Sequence, residues 1–295
     1  MQTTDNDTQT TSANLAPNLL APQGCATCDT PSAKDAPASQ PDYVYAIGRI
    51  QPRFPRVSVE KELAQATART DTQGLTDRQA MHAVLSKPEN RYLLRHLCWV
   101  LTIEGLETYI LAPRLSADLT LLVDALRPAP APTDVDVVIG HKGPIASYET
   151  CNGLMIPIVS FDQIYSFDRE SLISAIPRPN TISTEAFGAA AAELFDSIMQ
   201  MTDNAGNTDR HRALNYCAVR YPAIYAKAAE RFGANLALSG VDVQPSPLAA
   251  VRKVVDVIFA FTHRATDVVE KYSVRVDVTD EFPFLVTKLS PYYDR

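Results

Sequence analysis

Cysteine is the residue type whose spacing here points most directly to chemistry. Cys25 and Cys28 stand in the run Gly24-Cys25-Ala26-Thr27-Cys28, and two thiolates at that spacing can share one tetrahedral zinc ion. A structural zinc takes four ligands, and no second Cys-x-x-Cys occurs in the chain. The remaining candidates are Cys98, Cys151, Cys217 and the histidines, among which His96 lies two residues from Cys98. Cys217 shares an apolar helical stripe with Leu214, Ala218 and Tyr221 and reads as core. Cys98 opens a predicted hairpin strand and Cys151 sits in a Cys-Asn-Gly turn, places where ligands converge without breaking a core. The expected zinc set is therefore Cys25, Cys28, Cys98 and Cys151. The plain alternative is that the pair binds nothing and that Cys98 is a small hydrophobe beside Trp99. A redox use of Cys25 and Cys28 lacks the βαβ context it needs.

Other reactive patterns are missing. None of the eleven glycines begins a Gly-x-Ser-x-Gly elbow, a phosphate loop ending Gly-Lys-Ser/Thr or a Gly-x-Gly-x-x-Gly turn. Gly140-His141-Lys142-Gly143 is the one close glycine pair. Its backbone and lysine could meet an anion, but a polar turn after a strand is the reading its residues favour. The histidines are His82, His96, His141, His211 and His263, and none has the local setting of a catalytic triad. No catalytic residue and no organic cofactor is expected. The competing reading is a metal-dependent enzyme that uses Cys98, His96 or Cys151 in a pocket no motif reveals.

These residues must be positioned by two segments of different character. Residues 1–41 are rich in Thr, Ala, Pro, Ser, Asn and Gln and contain no aromatic residue. Such a stretch cannot bury enough apolar area to offset its ordering entropy, so a disordered arm is expected, followed by a single domain over 42–295. Tyr43 to Ile47 reads as a strand. Helices are predicted after Ser58 and after Thr76, which makes a capping box with Gln79. A hairpin spans Leu97 to Ala112, and a helix begins at Ser116. Strands follow at Val135 to Ile139 and Leu154 to Phe161, and Pro157 argues that the second lies at an edge or carries a bulge. Arg169 to Ile176 is a short helix. Thr184 to Met201 is the clearest one, with Phe187, Ala191, Leu194, Phe195 and Ile198 on one stripe. Another opens at Thr208, is kinked or restarted at Pro222, and has Gly233 as its C-terminal cap. Period-two segments then take over: Val255 to Phe261, Val268 to Val278 with Lys271 and Asp277 outward, and Phe282 to Leu289. The fold class is α+β, with segregated helices packed on a mixed sheet and a C-terminal antiparallel meander.

Composition limits the partners. With 295 residues, 46% of them hydrophobic, the chain can build one large core. Its net charge is −7 and Lys and Arg never run beyond two adjacent residues, so it repels phosphate backbones and anionic lipid. Neither nucleic acid nor membrane is an expected partner. The N-terminus carries acids where a signal peptide carries bases, and the odd cysteine count suits a reducing compartment. A cytoplasmic location is expected.

Several segments also resemble a known family. They are Tyr43-Val44-Tyr45-Ala46-Ile47-Gly48-Arg49-Ile50, then Pro52-Arg53-Phe54-Pro55 and Val59-Glu60-Lys61-Glu62. With them go Cys98 to Gly105, the Cys151-Asn152-Gly153-Leu154 turn and the tail from Phe282 to Arg295. Together they resemble the C-terminal domain of PatG-type cyanobactin maturation proteases. In that family the domain follows a subtilisin-like protease in pathways that make ribosomal, post-translationally modified peptides. No Asp-Thr-Gly, His-Gly-Thr or Gly-Thr-Ser-Met motif occurs here, so the resemblance transfers no peptidase activity. It implies a free-standing, non-catalytic accessory or recognition module for a precursor peptide or a pathway protease. It also implies a homodimer and bound zinc, and a purely structural homodimeric partner is a further alternative.

Overall fold

The computed structural model describes residues 42–178, 182–201, 203–247, 249 and 251–293. The expected arm, with Cys25 and Cys28, lies outside them. The chain opens with strand β1 (Tyr43–Arg53) and helices α1 (Val57–Ala68), α2 (Asp77–Leu85) and α3 (Arg91–His96). The hairpin β2 (Cys98–Ile103) and β3 (Leu106–Pro113) follows, then α4 (Leu119–Asp124), β4 (Asp134–Ile145), β5 (Pro157–Asp168) and α5 (Arg169–Ala175). The second half contributes α6 (Thr184–Met199), α7 (Asp209–Arg220) and α8 (Ala223–Gly233). It ends with β6 (Leu236–Pro245), β7 (Val254–His263), β8 (Val269–Asp277), β9 (Phe284–Leu285) and β10 (Ser290–Pro291).

Five strands close into a barrel in the order β1-β2-β3-β5-β4. Its β3–β5 pairing is parallel and the others are antiparallel. The remaining strands form an antiparallel sheet in the order β10-β8-β7-β6, with β9 also on β8. The fold is thus α+β, with a mixed sheet and a C-terminal antiparallel meander.

The barrel wall built from β1 and β4 is buried on both sides, which explains its nearly unbroken apolar run. Val44, Ala46, Ile50 and Val138 point into one core with α1 to α4. Tyr45, Ile47, Val137 and Ile139 point the other way, into a core shared with α6, α7, α8 and the second sheet. The Tyr43–Gly48 half of β1 runs beyond its pairing with β2. There Tyr45 donates its N–H to the Gly206 carbonyl at 2.8 Å, and its own carbonyl accepts from Asn215 Nδ2 at 2.8 Å. The loop before α7 and the helix itself therefore cover an edge the barrel leaves open.

Local signals act as expected at several points. Thr76 and Gln79 form the capping box of α2, Ser183 caps α6 and Thr208 caps α7. Elsewhere the structure differs. Arg56, not Ser58, precedes α1, without a side-chain cap. At the end of α8 the left-handed residue is Asn235, φ 64°, in place of Gly233. The third full strand of the meander is β6, while Phe282 to Leu289 contributes only the two residues of β9. Val274 and Val276 in β8 and Val278 just after it are buried as the alternation requires, but Val268, just before the strand, is exposed. Asp277 is buried where an outward side chain was expected, because it accepts from the Thr279 N–H at 2.8 Å and pairs with Arg252. Among the described residues no helix is long and apolar enough to cross a membrane.

Candidate functional site

Three side chains from distant parts of the chain meet where the barrel adjoins the second sheet. His141 of β4, Asp162 of β5 and Glu281, just after β8, present ligand atoms that all lie within 4.8 Å of one another. A β-bulge explains how Asp162 arrives there. Ile139 pairs with Gln163 and Gly140 with Phe161, so Asp162 is the extra residue with no partner on β4. A bulge bends its strand and re-aims the extra side chain. Gly140 makes the close approach possible, because a Cβ there would sit 2.6 Å from Phe161 Cα and nearer still to the Ser160 carbonyl.

Glu281 is placed by α7. The Arg212 guanidinium, only 3% exposed, donates to the carbonyls of Val278 (2.7 Å), Asp280 and Glu281 (3.2 Å), clamping the turn that carries the carboxylate. The same guanidinium lies over the Tyr43 ring at 5.2 Å, and that ring packs on His141 with centroids 5.0 Å apart. Arg114, just past β3, pairs with the outer oxygen of Asp162, Oδ1. Inside the cluster, His141 Nδ1 lies 3.3 Å from Asp162 Oδ2 and 3.9 Å from Glu281 Oε1. The second distance is too long for a hydrogen bond, and Glu281 Oε1 is buried with no partner.

The two carboxyls titrate together. Burial, followed by the neighbouring Asp162, pushes Glu281 up to about 7. Burial acts the same way on Asp162, but the neighbouring Glu281 carboxyl and the Arg114 guanidinium overcome it and hold that group below its usual range. Two like charges in contact share a proton in this way.

A second feature lies beside the Glu104–Gly105 turn and the start of β4. It is a cleft of about 540 Å³. Ile47, Val135, Phe195 and Met199 supply apolar lining, and Arg49 and Arg169 supply charge. Arg169 pairs with Asp196 at 2.7 Å, yet its Nε and the Thr102 Oγ1 on the same wall have no hydrogen-bond partner.

Two of the four cysteines expected to hold zinc are brought together. Cys98, at the start of β2, and Cys151, in the turn before β5, have Cα atoms 5.6 Å apart and form a disulfide. In this oxidised form their sulfurs bond to each other, and zinc ligation by the pair would require reduction to thiolates. His96 lies beside them on the rim of one open cleft. Cys217 is fully buried, as expected of a core residue. Gly140-His141-Lys142-Gly143 proves to be part of β4 and not a turn. Asp162 and Glu281 carry no spacing signal. The one hint was Pro157: its strand is not at an edge, since β5 lies between β3 and β4, but it does carry a bulge.

The closed barrel joined to an antiparallel sheet over three helices is a known arrangement. A solved structure described as "PatG Domain of Unknown Function" has it, with a TM-score of 0.70 at 19% sequence identity. The likeness spans 85% of this chain and 98% of that one, and at such identity it speaks for fold alone. A family model described as "PatG C-terminal" matches residues 181–292. Over that stretch the chain is similar to the PatG C-terminal family, in line with the resemblance in its residues. The matched stretch contains Arg212 and Glu281, whereas His141 and Asp162 belong to the barrel half before it. None of the curated proteins compared matches the chain.

Proposed function

We propose that this domain is a non-catalytic recognition module in the maturation of ribosomally made, post-translationally modified peptides. It acts in the cytoplasm by holding a precursor peptide or by docking the pathway's protease. The observation that carries this reading is the cleft beside the Glu104–Gly105 turn. Its volume suits one or two peptide side chains, Ile47, Val135, Phe195 and Met199 give it an apolar wall, and Arg49 and Arg169 bring positive charge to it. Apolar pockets with a few convergent polar groups are the usual form of a binding site. A reducing cytoplasm would also keep Cys98 and Cys151 as thiols.

Fluorescence anisotropy with a labelled cyanobactin-type precursor peptide tests the proposal, with pull-down of a PatG-type protease as the second arm. Met199→Arg places a charge on the apolar wall and is expected to weaken peptide binding at least tenfold without loss of fold. Unchanged affinity in that variant would move the site out of the cleft. Failure of both peptide and protease to bind would end the recognition reading.

A further inference from the structure

We propose that His141, Asp162 and Glu281 form a binding site for a divalent first-row cation of the zinc class, with its remaining coordination positions taken by water. This is separate from the cleft beside the Glu104–Gly105 turn and from any site built of cysteines. Donor spacing is the first argument. Two donors each about 2.1 Å from one tetrahedral ion lie about 3.4 Å apart. His141 Nδ1 stands 3.3 Å from Asp162 Oδ2 and 3.9 Å from Glu281 Oε1, and all three ligand atoms lie within 4.8 Å of one another, so closing the longer separations to about 3.4 Å would bring them to bonding distance of one ion.

The donor state is the second argument. Glu281 Oε1 is buried and makes no hydrogen bond, an arrangement that costs free energy unless something fills the gap. The third is the support around the ligands. Arg114 occupies the far oxygen of Asp162 and leaves Oδ2 turned to the cluster. Arg212 fixes the Glu281 turn through three carbonyls, and Tyr43 packs on the His141 ring. Outer contacts that orient ligands in this way are a regular part of metal centres. One imidazole and two carboxylates form a borderline-to-hard donor set, which suits zinc or manganese better than a thiolate-seeking metal. The three side chains are between 16% and 29% exposed, so an ion can reach them from solvent. The ion would tie the C-terminal segment after β8 to the barrel wall, since its ligands come from both.

The test uses the full chain, freed of metal by chelation, in a Cys25→Ser, Cys28→Ser background that removes the cysteine pair as a competing site. Zinc and manganese are titrated separately by calorimetry, with magnesium for comparison, and melting is followed with and without zinc. One equivalent of zinc is expected, with a raised melting temperature. Glu281→Gln should weaken binding at least tenfold, and His141→Ala should abolish the thermal shift. Asp162→Asn serves as the second ligand variant if either proves unstable, with circular dichroism reporting the fold of each. No saturable zinc or manganese binding by the parent, or the same affinity in folded ligand variants, overturns the proposal. The carboxyls would then share only a proton.

Discussion

At Gly140 the missing side chain is what allows β4 and β5 to approach and the bulge at Asp162 to form. Gly140→Ala would force a methyl to within 2.6 Å of Phe161 Cα unless the ladder parts. The expected cost is about 1–3 kcal/mol, as for overpacking elsewhere, read from urea unfolding. Gly188→Ala is the comparison, because a Cβ there meets nothing within 4 Å and lies inside α6. It should be neutral or stabilising by up to about 1 kcal/mol, and equal losses at both positions would deny the close approach. This is also where the sequence was hardest to read. Glycine punctuates turns far more often than strands, so Gly140 to Gly143 looked like a turn and His141 like a loop residue. Asp162 and Glu281 could not be singled out, because a bulge and a clamped turn deliver them and neither device has a fixed spacing. Cys98 and Cys151 were legible as residues that meet, since a strand start and a tight turn are places where side chains converge.

Among the elements, β8 shows what alternation can and cannot tell. Val274 and Val276 face the core and are wholly buried, whereas Val269 in the same strand is 50% exposed. Val274→Asp should therefore cost more than about 3 kcal/mol, because a charge would be stranded in the core. Val269→Asp should stay within about 1 kcal/mol. Thermal or chemical unfolding of the two variants measures the difference, and similar values would show the face assignment to be wrong. The alternation of β8 was readable because one of its faces is wet. The run Tyr43 to Ile47 read as a strand for the opposite reason, being apolar throughout and buried on both sides. The strand β6 carries no clean period-two pattern. Its register shifts between Leu238 and Gly240, and that break hides the period on which detection depends.

For the whole molecule, the Cys98–Cys151 disulfide joins positions 53 residues apart and fastens the start of β2 to the turn before β5. Closing a loop of that length stabilises by about 4 kcal/mol in the chain-entropy model, and measured values more often lie near 2–4. Oxidised protein should outlast reduced protein in urea by that margin, and Cys98→Ser should abolish the difference. Insensitivity to reductant would show that the bond carries no stability. The covered edge of β1 has a consequence of a different kind. Tyr45 is bonded to Gly206 and, 170 residues away, to Asn215. At synthesis rates of about 5–20 residues per second, roughly 10–30 s pass between the making of that strand and the arrival of its cover. For that interval a nascent chain displays an apolar strand with unpaired amides, the surface that chaperones hold and that neighbouring chains stick to. Expression at low temperature, which slows elongation further, should lengthen the exposure and make soluble yield depend on chaperone supply more than on the stability of the finished fold.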